Sequence, residues 1–297
     1  MKVNAAAVVV RWRGGDEVDR CLSSLLRHGG ERLEQIVLVD SGSGDGGAAR
    51  LAAAFPNIEV VALEENLSFA HAANTGVAAS ASDLVFLLNP DTEIGEGCVA
   101  TLVEALEKRP RAAGVVPLLI NPDGSEQHRW QLRRLPTVGN LATGRPGAPA
   151  FSSPPITASS VDQPAAAAWL VRREVWRTLR GLDESYAPAW WEDVDFCARL
   201  AAGLDDPSFP ADEGFIVTPQ AKVVHVGGST LNELSKTDFL TAYHKNLMRY
   251  ASRHHPTRVA FIRFALRCSL MGRTVLQPTR SAATLGAWRK LGQLPRR

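Results

Sequence analysis

Asp83-Leu84-Val85-Phe86-Leu87-Leu88-Asn89-Pro90-Asp91 is the stretch on which the reading of this chain turns. Five consecutive apolar residues running into a proline describe a strand buried on both faces and stopped at its carboxyl end, the pattern of a central strand in a parallel sheet. Open α/β sheets bind their ligands just beyond those carboxyl ends, which aims Asp91 at a crevice. A carboxylate with a neighbouring amide oxygen from Asn89 is hard-ligand chemistry, suited to Mg²⁺ or Mn²⁺ carrying a diphosphate. The plainer alternative is a helix N-cap, with Asp91 or Thr92 starting a helix expected over 96–108.

The flanking sequence repeats the same unit. Residues 5–10 and 35–39 read as strands, the second running into Asp40, and 58–63 and 84–88 read as a third and fourth. Helical patterns lie between them at 17–28, 48–55 and 70–80. Regular alternation of strand, turn and helix predicts a doubly wound α/β sheet, mainly parallel, with right-handed crossovers. Strand character returns at 115–120. From 121 to 163 Pro, Gly, Ser and Thr dominate, which predicts a long loop or flexible flap. Core-forming sequence resumes at 165–171 and 175–179, a helix is expected over 192–202, and 215–217 with 223–226 read as closing strands. The expected organisation is one domain over 1–230 followed by a basic, helical C-terminal extension over 231–297.

At 297 residues the chain has ample length to bury a core. Its net charge of +2 conceals an asymmetry: all 31 acidic residues lie at or before Asp238, whereas twelve of the 33 basic ones follow it, so residues 1–238 carry −10 and the remainder +12. The two parts therefore suit different surroundings. Cys21, Cys98, Cys197 and Cys268 are scattered, with no Cys-x-x-Cys pair, which argues for reduced thiols in a cytoplasm and against a disulfide framework or a zinc site. The apolar run at 5–10 is too short for a secretion signal, and no uncharged stretch is long enough to span a bilayer.

Three further constellations carry chemistry. Asp40 ends its strand as Asp91 does, and Ser41-Gly42-Ser43-Gly44-Asp45-Gly46-Gly47 supplies permissive backbone beside it. Adjacent parallel strands that end in carboxylates make a crevice able to hydrogen-bond a nucleotide's base and ribose. The turn lacks the Walker A lysine and its spacing, so a phosphate loop of that type is excluded. Asp45 reads equally well as a turn residue or a ligand contact. In Trp190-Trp191-Glu192-Asp193-Val194-Asp195 three carboxylates stand at a helix start, where the dipole favours negative charge. Glu192 and Asp195 would share a face at i,i+3 and Asp193 would point about 100° away from Glu192, so the cluster can serve two surfaces. The alternative is an acidic cap, which two adjacent tryptophans weaken, since bulky aromatics at a helix entrance are costly to solvate and often line a sugar or base pocket. His225, before Gly227-Gly228-Ser229, reads as a hydrogen-bonded strand-end group or as a metal ligand beside Asp91. His254 and His255 read as surface residues.

Taken in order, these residues resemble the inverting family 2 glycosyltransferases, in particular the rhamnosyltransferase-like branch that builds cell-wall and surface polysaccharides. The resemblance runs through 36–40 with Ser43 and Asp45-Gly46, 66–76, Phe86-Leu87-Leu88-Asn89-Pro90-Asp91, 168–173, 181–184, Glu192-Asp193-Val194-Asp195 and His225-Val226-Gly227-Gly228-Ser229, and covers about residues 5–230. It implies a GT-A type α/β fold and a nucleotide-diphosphate-sugar donor such as dTDP-rhamnose. It also implies a glycan or lipid-linked acceptor and an Mg²⁺ or Mn²⁺ cofactor. Asp193 is implied as catalytic base and Asp91 with His225 as metal ligands. Asp40, Ser43, Asp45, Asn66, Asn74, Asn89, Asp91, Trp191 and Glu192 are implied as the nucleotide-sugar-binding set. Arg11-Trp12-Arg13 replaces the family's usual Thr-Tyr-Asn after the first strand, which keeps a catalytically inactive nucleotide-sugar-binding protein as the alternative. A sugar-nucleotide pyrophosphorylase would need an N-terminal glycine- and lysine/arginine-rich activation loop that this chain lacks.

In the basic tail Phe261, Phe264, Cys268, Met271 and Val275 recur at helical spacing, with Arg258, Arg263, Arg267 and Arg273 on the other half. The stripe is expected either to pack on the domain or to lie on anionic lipid, where each nearby Lys or Arg contributes about 1 kcal/mol. The expected location is cytoplasmic, with peripheral contact at the inner membrane face. Nucleic acid is not expected, since no binding motif or aromatic platform accompanies the charge.

Overall fold

The computed structural model describes residues 3–228 and 235–276. Through the first half β1 (Ala5–Arg11), α1 (Asp16–His28), β2 (Leu33–Asp40), α2 (Gly47–Ala54), β3 (Glu59–Ala62), α3 (Phe69–Ala79) and β4 (Leu84–Leu88) alternate as the sequence predicts. β1, β4 and the second half of β2 are buried on both faces, and their period of two divides each between two cores, while β3 at the sheet edge is half-buried to exposed. Ala5, Ala7, Val9, Phe86 and Leu88 pack on one side of the sheet, and Val8, Val10, Val85 and Leu87 on the other. α3 lies close over β1 and β2 because Gly76 has no side chain: a Cβ there would stand 2.4 Å from Val8 Cγ1.

β5 (Thr92–Ile94), α4 (Cys98–Lys108) and β6 (Ala112–Ile120) follow. Asp91 is thus not a helix cap. A short strand separates it from α4, whose N-cap is Gly97.

The 121–163 segment, expected as a loop or flap, carries α5 (His128–Gln131), β7 (Leu132–Arg133), α6 (Val138–Ala142), β8 (Ser159–Val161) and the start of β9 (Gln163–Pro164). Its anchor is a buried amide that composition does not reveal. Gln131 Nε2 donates to Pro117 O at 2.6 Å and Gln131 Oε1 accepts from Leu119 N at 2.9 Å, fastening the segment to β6. Thr137 and Asn140 form a capping box at α6.

The chain continues through β10 (Ala168–Arg172), α7 (Arg173–Thr178), α8 (Glu192–Gly203), β11 (Glu213–His225), α9 (Lys236–His254) and α10 (Val259–Leu276). The main sheet is ordered β3-β2-β1-β4-β10-β6-β11-β5, with β8 also pairing β11. β1, β2, β3 and β4 pair in parallel, as do β6 and β11, while β10 runs antiparallel between β4 and β6. The sheet is therefore doubly wound, mixed and mainly parallel. The chain leaves β1 toward β2 and β3 and returns to β4 on its other side, which opens a crevice at their carboxyl ends. Register sets the ends level: Arg11 lies opposite Asp40, and Val9 opposite Leu88.

α9 and α10 are not an appendage hung from the sheet. Leu247, Tyr250, Ile262 and Leu266 share one core with Leu141, Tyr186, Trp191 and Val194. The stripe on α10 that packs is not the expected one: Ile262, Leu266 and Leu270 are buried, and Phe261, Phe264, Cys268 and Met271 are exposed. The expected pattern missed this because the helix is apolar on two sides. The side chains of Arg273 and Val275, as well as Ser229 and the remaining tail charges such as Lys290, lie outside the described residues.

Candidate active site

At the carboxyl end of β1, Arg11 is 2% exposed and its guanidinium faces two carboxylates. Nη1 pairs with Asp40 and Nη2 donates to Asp45 Oδ2 at 2.7 Å. Asp40 Oδ1 accepts from Ser43 N at 2.8 Å, and Ser43 Oγ accepts from Arg13 N at 2.6 Å, so the glycine-rich turn folds back on β1. The Arg11 bond holds the Asp45 carboxyl below its ordinary range. Gly42 has φ 64°, and a Cβ on it would stand 2.2 Å from the Glu65 carbonyl carbon. That closeness lets Ser41 Oγ donate to Asn66 Oδ1 at 3.1 Å.

Asp91 sits beside the end of β11. Its Oδ2 accepts from Gly227 N at 3.0 Å and its backbone oxygen from Val226 N at 3.1 Å. His225 Nε2 lies 3.6 Å from Asp91 Oδ1. Gln127 fixes the imidazole: its Nε2 donates to His225 O and to Asn121 Oδ1, both at 2.7 Å, which turns Oε1 toward His225 Nδ1 at 2.8 Å. Nδ1 therefore carries the proton and Nε2 offers a lone pair toward Asp91. Burial also pushes this imidazole down, keeping it neutral against the Asp91 charge. Trp130 stacks on it at 5.3 Å between ring centroids. A lone pair and a carboxylate oxygen facing each other fit two ligands of a divalent cation. Among the described residues no cluster of three or more His, Cys, Asp or Glu gathers, so further ligands would come from a diphosphate and water.

The opposite wall starts with an unusual backbone. Trp190 and Trp191 have φ 73° and 79°. Left-handed geometry at bulky residues costs on the order of 1–3 kcal/mol each and needs outside support. Asn246 on α9, fully buried, supplies it: Nδ2 donates to Ala189 O at 2.9 Å and to Trp190 O at 3.2 Å. Trp191 packs between Tyr243 and Tyr250 of the same helix. This turn aims both Glu192 and Asp193 at the cavity. Asp195, expected to share a face with Glu192, instead points away and is completely buried. It takes Arg199 Nε at 2.7 Å, Tyr186 Oη at 3.3 Å and His254 Nε2 at 2.8 Å, so His254 is no surface residue. Burial pushes Asp195 up, but the His254 bond and the Arg199 and Arg253 charges outweigh it and the net shift is downward.

Asp193 Oδ1 accepts from Val194 N at 2.8 Å, and Oδ2 accepts from Gln163 Nε2 at 3.2 Å and Ala166 N at 3.4 Å. Burial raises its carboxyl above the ordinary range, against the lowering charge of Arg133. Glu192 goes up further, through burial and the adjacent Asp193 charge, and its Oε2 has no hydrogen-bond partner in the structure. Of the two neighbouring carboxyls, Glu192 is pushed up the further, so a shared proton is favoured on Glu192 over Asp193.

The two walls enclose a cavity of about 540 Å³, ordinary for a small-molecule site. Of the expected residues, Asn66, Asn89, Trp191, Glu192 and Asp193 line it. Asp40, Ser43 and Asp45 form the turn behind Ser41, and Asp91 and His225 stand behind Pro90 and Trp130. Asn74 is elsewhere: its Nδ2 donates to Leu182 O and Glu184 Oε1, both at 2.9 Å, pinning the 181–184 loop. Sequence reasoning missed Trp130, Arg133, Phe239, Tyr243 and His244, which also line the cavity. A tryptophan with two flanking arginines, Arg129 and Arg133, in a Pro/Gly/Ser-rich stretch was the one legible signal.

Comparison with known proteins agrees with this architecture. The model of the family described as Glycosyl transferase family 2 matches residues 7–161. The N-acetylglucosaminyl-diphospho-decaprenol L-rhamnosyltransferase of Mycobacterium tuberculosis, in strains CDC 1551 / Oshkosh and ATCC 25618 / H37Rv, is 28% identical over 307 residues, covering 96% of this chain and 95% of the relative. Among solved structures, GalNAc-T7 with UDP, GalNAc and Mn²⁺ superposes with a TM-score of 0.60 at 16% identity over 84% of this chain, which spans 50% of that one. S. aureus TarS 1–349 gives 0.55 at 12% identity, covering 93% of this chain and 73% of the other. At such identities the two structures share the fold, the mixed and mainly parallel GT-A sheet. With the family model spanning more than half of the chain, this glycosyltransferase belongs to glycosyl transferase family 2.

Proposed function

We propose that the chain transfers a sugar, L-rhamnose from a dTDP-type donor, to a lipid-linked saccharide in cell-wall or surface polysaccharide synthesis, with inversion at the anomeric carbon. The observation that carries this reading is Asp193, a carboxylate of raised pKa held by three N–H donors, facing the same cavity as the Asn89-Pro90 corner. The activity for which the mycobacterial relative is named supports the sugar and the acceptor class.

In this mechanism Asp193 takes the proton from the acceptor hydroxyl as its oxygen attacks the anomeric carbon, and one displacement inverts that centre. Arg133 and the backbone N–H groups keep Asp193 ionised until then. Protonated Glu192 donates a hydrogen bond into the cavity, which orients a sugar or acceptor hydroxyl. Ser41, Asn66 and Trp12 hold the nucleotide end, with Arg11, Asp40, Ser43 and Asp45 fixing the shape of the turn beneath it. Asp91 and His225 would hold Mg²⁺ or Mn²⁺, and a bound cation would neutralise the charge of the departing diphosphate. Residues 1–230 form the transferase unit in this reading, and the basic extension of 231–297 completes its cavity through Phe239, Tyr243 and His244. No helix among the described residues is long and apolar enough to cross a membrane, and the proposed location is the cytoplasmic face with peripheral contact.

The test is transfer from dTDP-rhamnose to a polyprenyl-diphospho-GlcNAc acceptor with Mg²⁺, Mn²⁺ or chelator, the product anomer being read by NMR. Inverted rhamnoside is expected. Absence of transfer from every nucleotide sugar tried, or a retained anomer, would overturn the reading.

A further inference from the structure

α10 carries two apolar stripes on opposite sides. At about 100° per residue, Ile262, Leu266 and Leu270 point one way and Phe261, Phe264, Cys268 and Met271 the other. The first set packs, at 0%, 1% and 2% exposure. The second is turned outward, with Phe261 58%, Phe264 70% and Met271 49% exposed. A helix that only packs on its domain needs one stripe, and a contiguous aromatic and methionine face left outside marks a contact surface.

The borders of that face say what it contacts. Exposed Arg258 flanks it on one side, half-buried Arg263 and Arg267 on the other, and no acidic residue follows Asp238 anywhere in the chain. An apolar strip edged by arginines is the composition of a helix lying in the headgroup plane of an anionic bilayer.

Position adds a reason for such contact. The inner stripe abuts the cavity wall: a Cβ on Gly144 would lie 3.0 Å from Leu266 Cδ1 and 3.2 Å from His244 Nε2. Gly144 and His244 both line the cavity. The outer face is therefore about one helix diameter, ~10 Å, from the cavity wall.

We infer that the outer face of α10 docks the protein on anionic lipid, beside the wall of its cavity. The use of this surface rests on the lipid-linked acceptor proposed above; its binding to lipid does not. Phosphatidylcholine vesicles with and without phosphatidylglycerol are the probe, with the full chain and the triple variant Phe261→Ser/Phe264→Ser/Met271→Ser in co-sedimentation. The wild type is expected to bind the anionic vesicles and release in high salt, and the variant to bind at least ~10-fold more weakly. The variant should keep the wild-type melting temperature and wild-type transfer to a water-soluble, short-chain acceptor. A fluorophore on Cys268, the exposed thiol beside buried Cys21, Cys98 and Cys197, should blue-shift with anionic vesicles. Equal binding by the variant, or no binding by the wild type, overturns the inference. So does a wild-type dimer that the triple substitution dissociates without any vesicle binding, which would assign the face to a second copy. Vesicle binding without sugar transfer leaves this surface standing and defeats the proposed function; transfer without vesicle binding does the reverse.

Discussion

The edge of the sheet proposed to hold the donor, here the donor edge, and the wall that faces it differ in how their parts are spaced along the chain. At the donor edge Arg11, Asp40 and Asn89 follow directly from β1, β2 and β4, and parallel register alone brings them level. The facing wall joins Arg133, Gln163, Asp193 and Asn246, contributed by a short strand, a second short strand, a helix start and a distant helix. Register is a repeating geometry, whereas that wall depends on individual buried hydrogen bonds. The facing wall should accordingly fail when a single support is removed.

The largest expected effect is at the proposed base. Asp193→Asn should lower kcat by about 10³-fold or more while nucleotide-sugar stabilisation in thermal shift is retained; unchanged turnover would remove Asp193 from that role. In the wild type, burial of Asp193 places the acid limb of the kcat/KM profile above the ordinary aspartate value of 3.8, since the base must be ionised to act. Across the cavity, Asp91→Ala should cost about 10²-fold in kcat/KM and abolish the added stabilisation that Mn²⁺ gives with a nucleotide diphosphate. A variant that still responds to Mn²⁺ would place the cation elsewhere.

Asn246→Ala tests the strained turn from a distance. It should cost about 1–3 kcal/mol of stability, seen in denaturant unfolding, and lower kcat with little change in donor affinity. A loss of donor affinity alone would mean that α9 supports the wrong wall. The smallest effect is that of pH on the Asp195 network. Its pKa is lower in the folded than in the unfolded chain, so its contribution is complete above about pH 4 and is lost as pH falls through the folded value. Asp195→Asn should flatten that acid-side slope, and an unchanged slope would assign it to other carboxylates.

Legibility in the sequence follows the same division. The apolar runs at 5–10, 35–39 and 84–88 announced β1, β2 and β4, because strands buried on both faces leave no other composition open to them. The 192–195 cluster that places Glu192 and Asp193 on the cavity stood out because three carboxylates after two tryptophans are conspicuous. Gln131 was not, since one amide among Pro, Gly and Ser carries no periodic signal, yet it fastens the 121–163 segment. Asn74 was misleading in the opposite sense: it falls within a family-like stretch but pins a loop. On α10 the spacing found an apolar stripe and missed the one that packs, because Ile262, Leu266 and Leu270 repeat with the same period on the other side.

By itself the sequence determined the doubly wound sheet, the strand ends at which chemistry would stand, and the family whose ordered motifs occupy them. Period and register are properties of the local chain, so they can be read from it. Only the tertiary structure decided that Asp193 and Glu192 share the cavity while Asp195 belongs to a buried network, that His225 turns its lone pair to Asp91, and that α10 leaves two phenylalanines outside. Each of those depends on which side chain at long sequence separation fills a partner's last hydrogen bond or covers its last apolar face, and no local pattern encodes that choice.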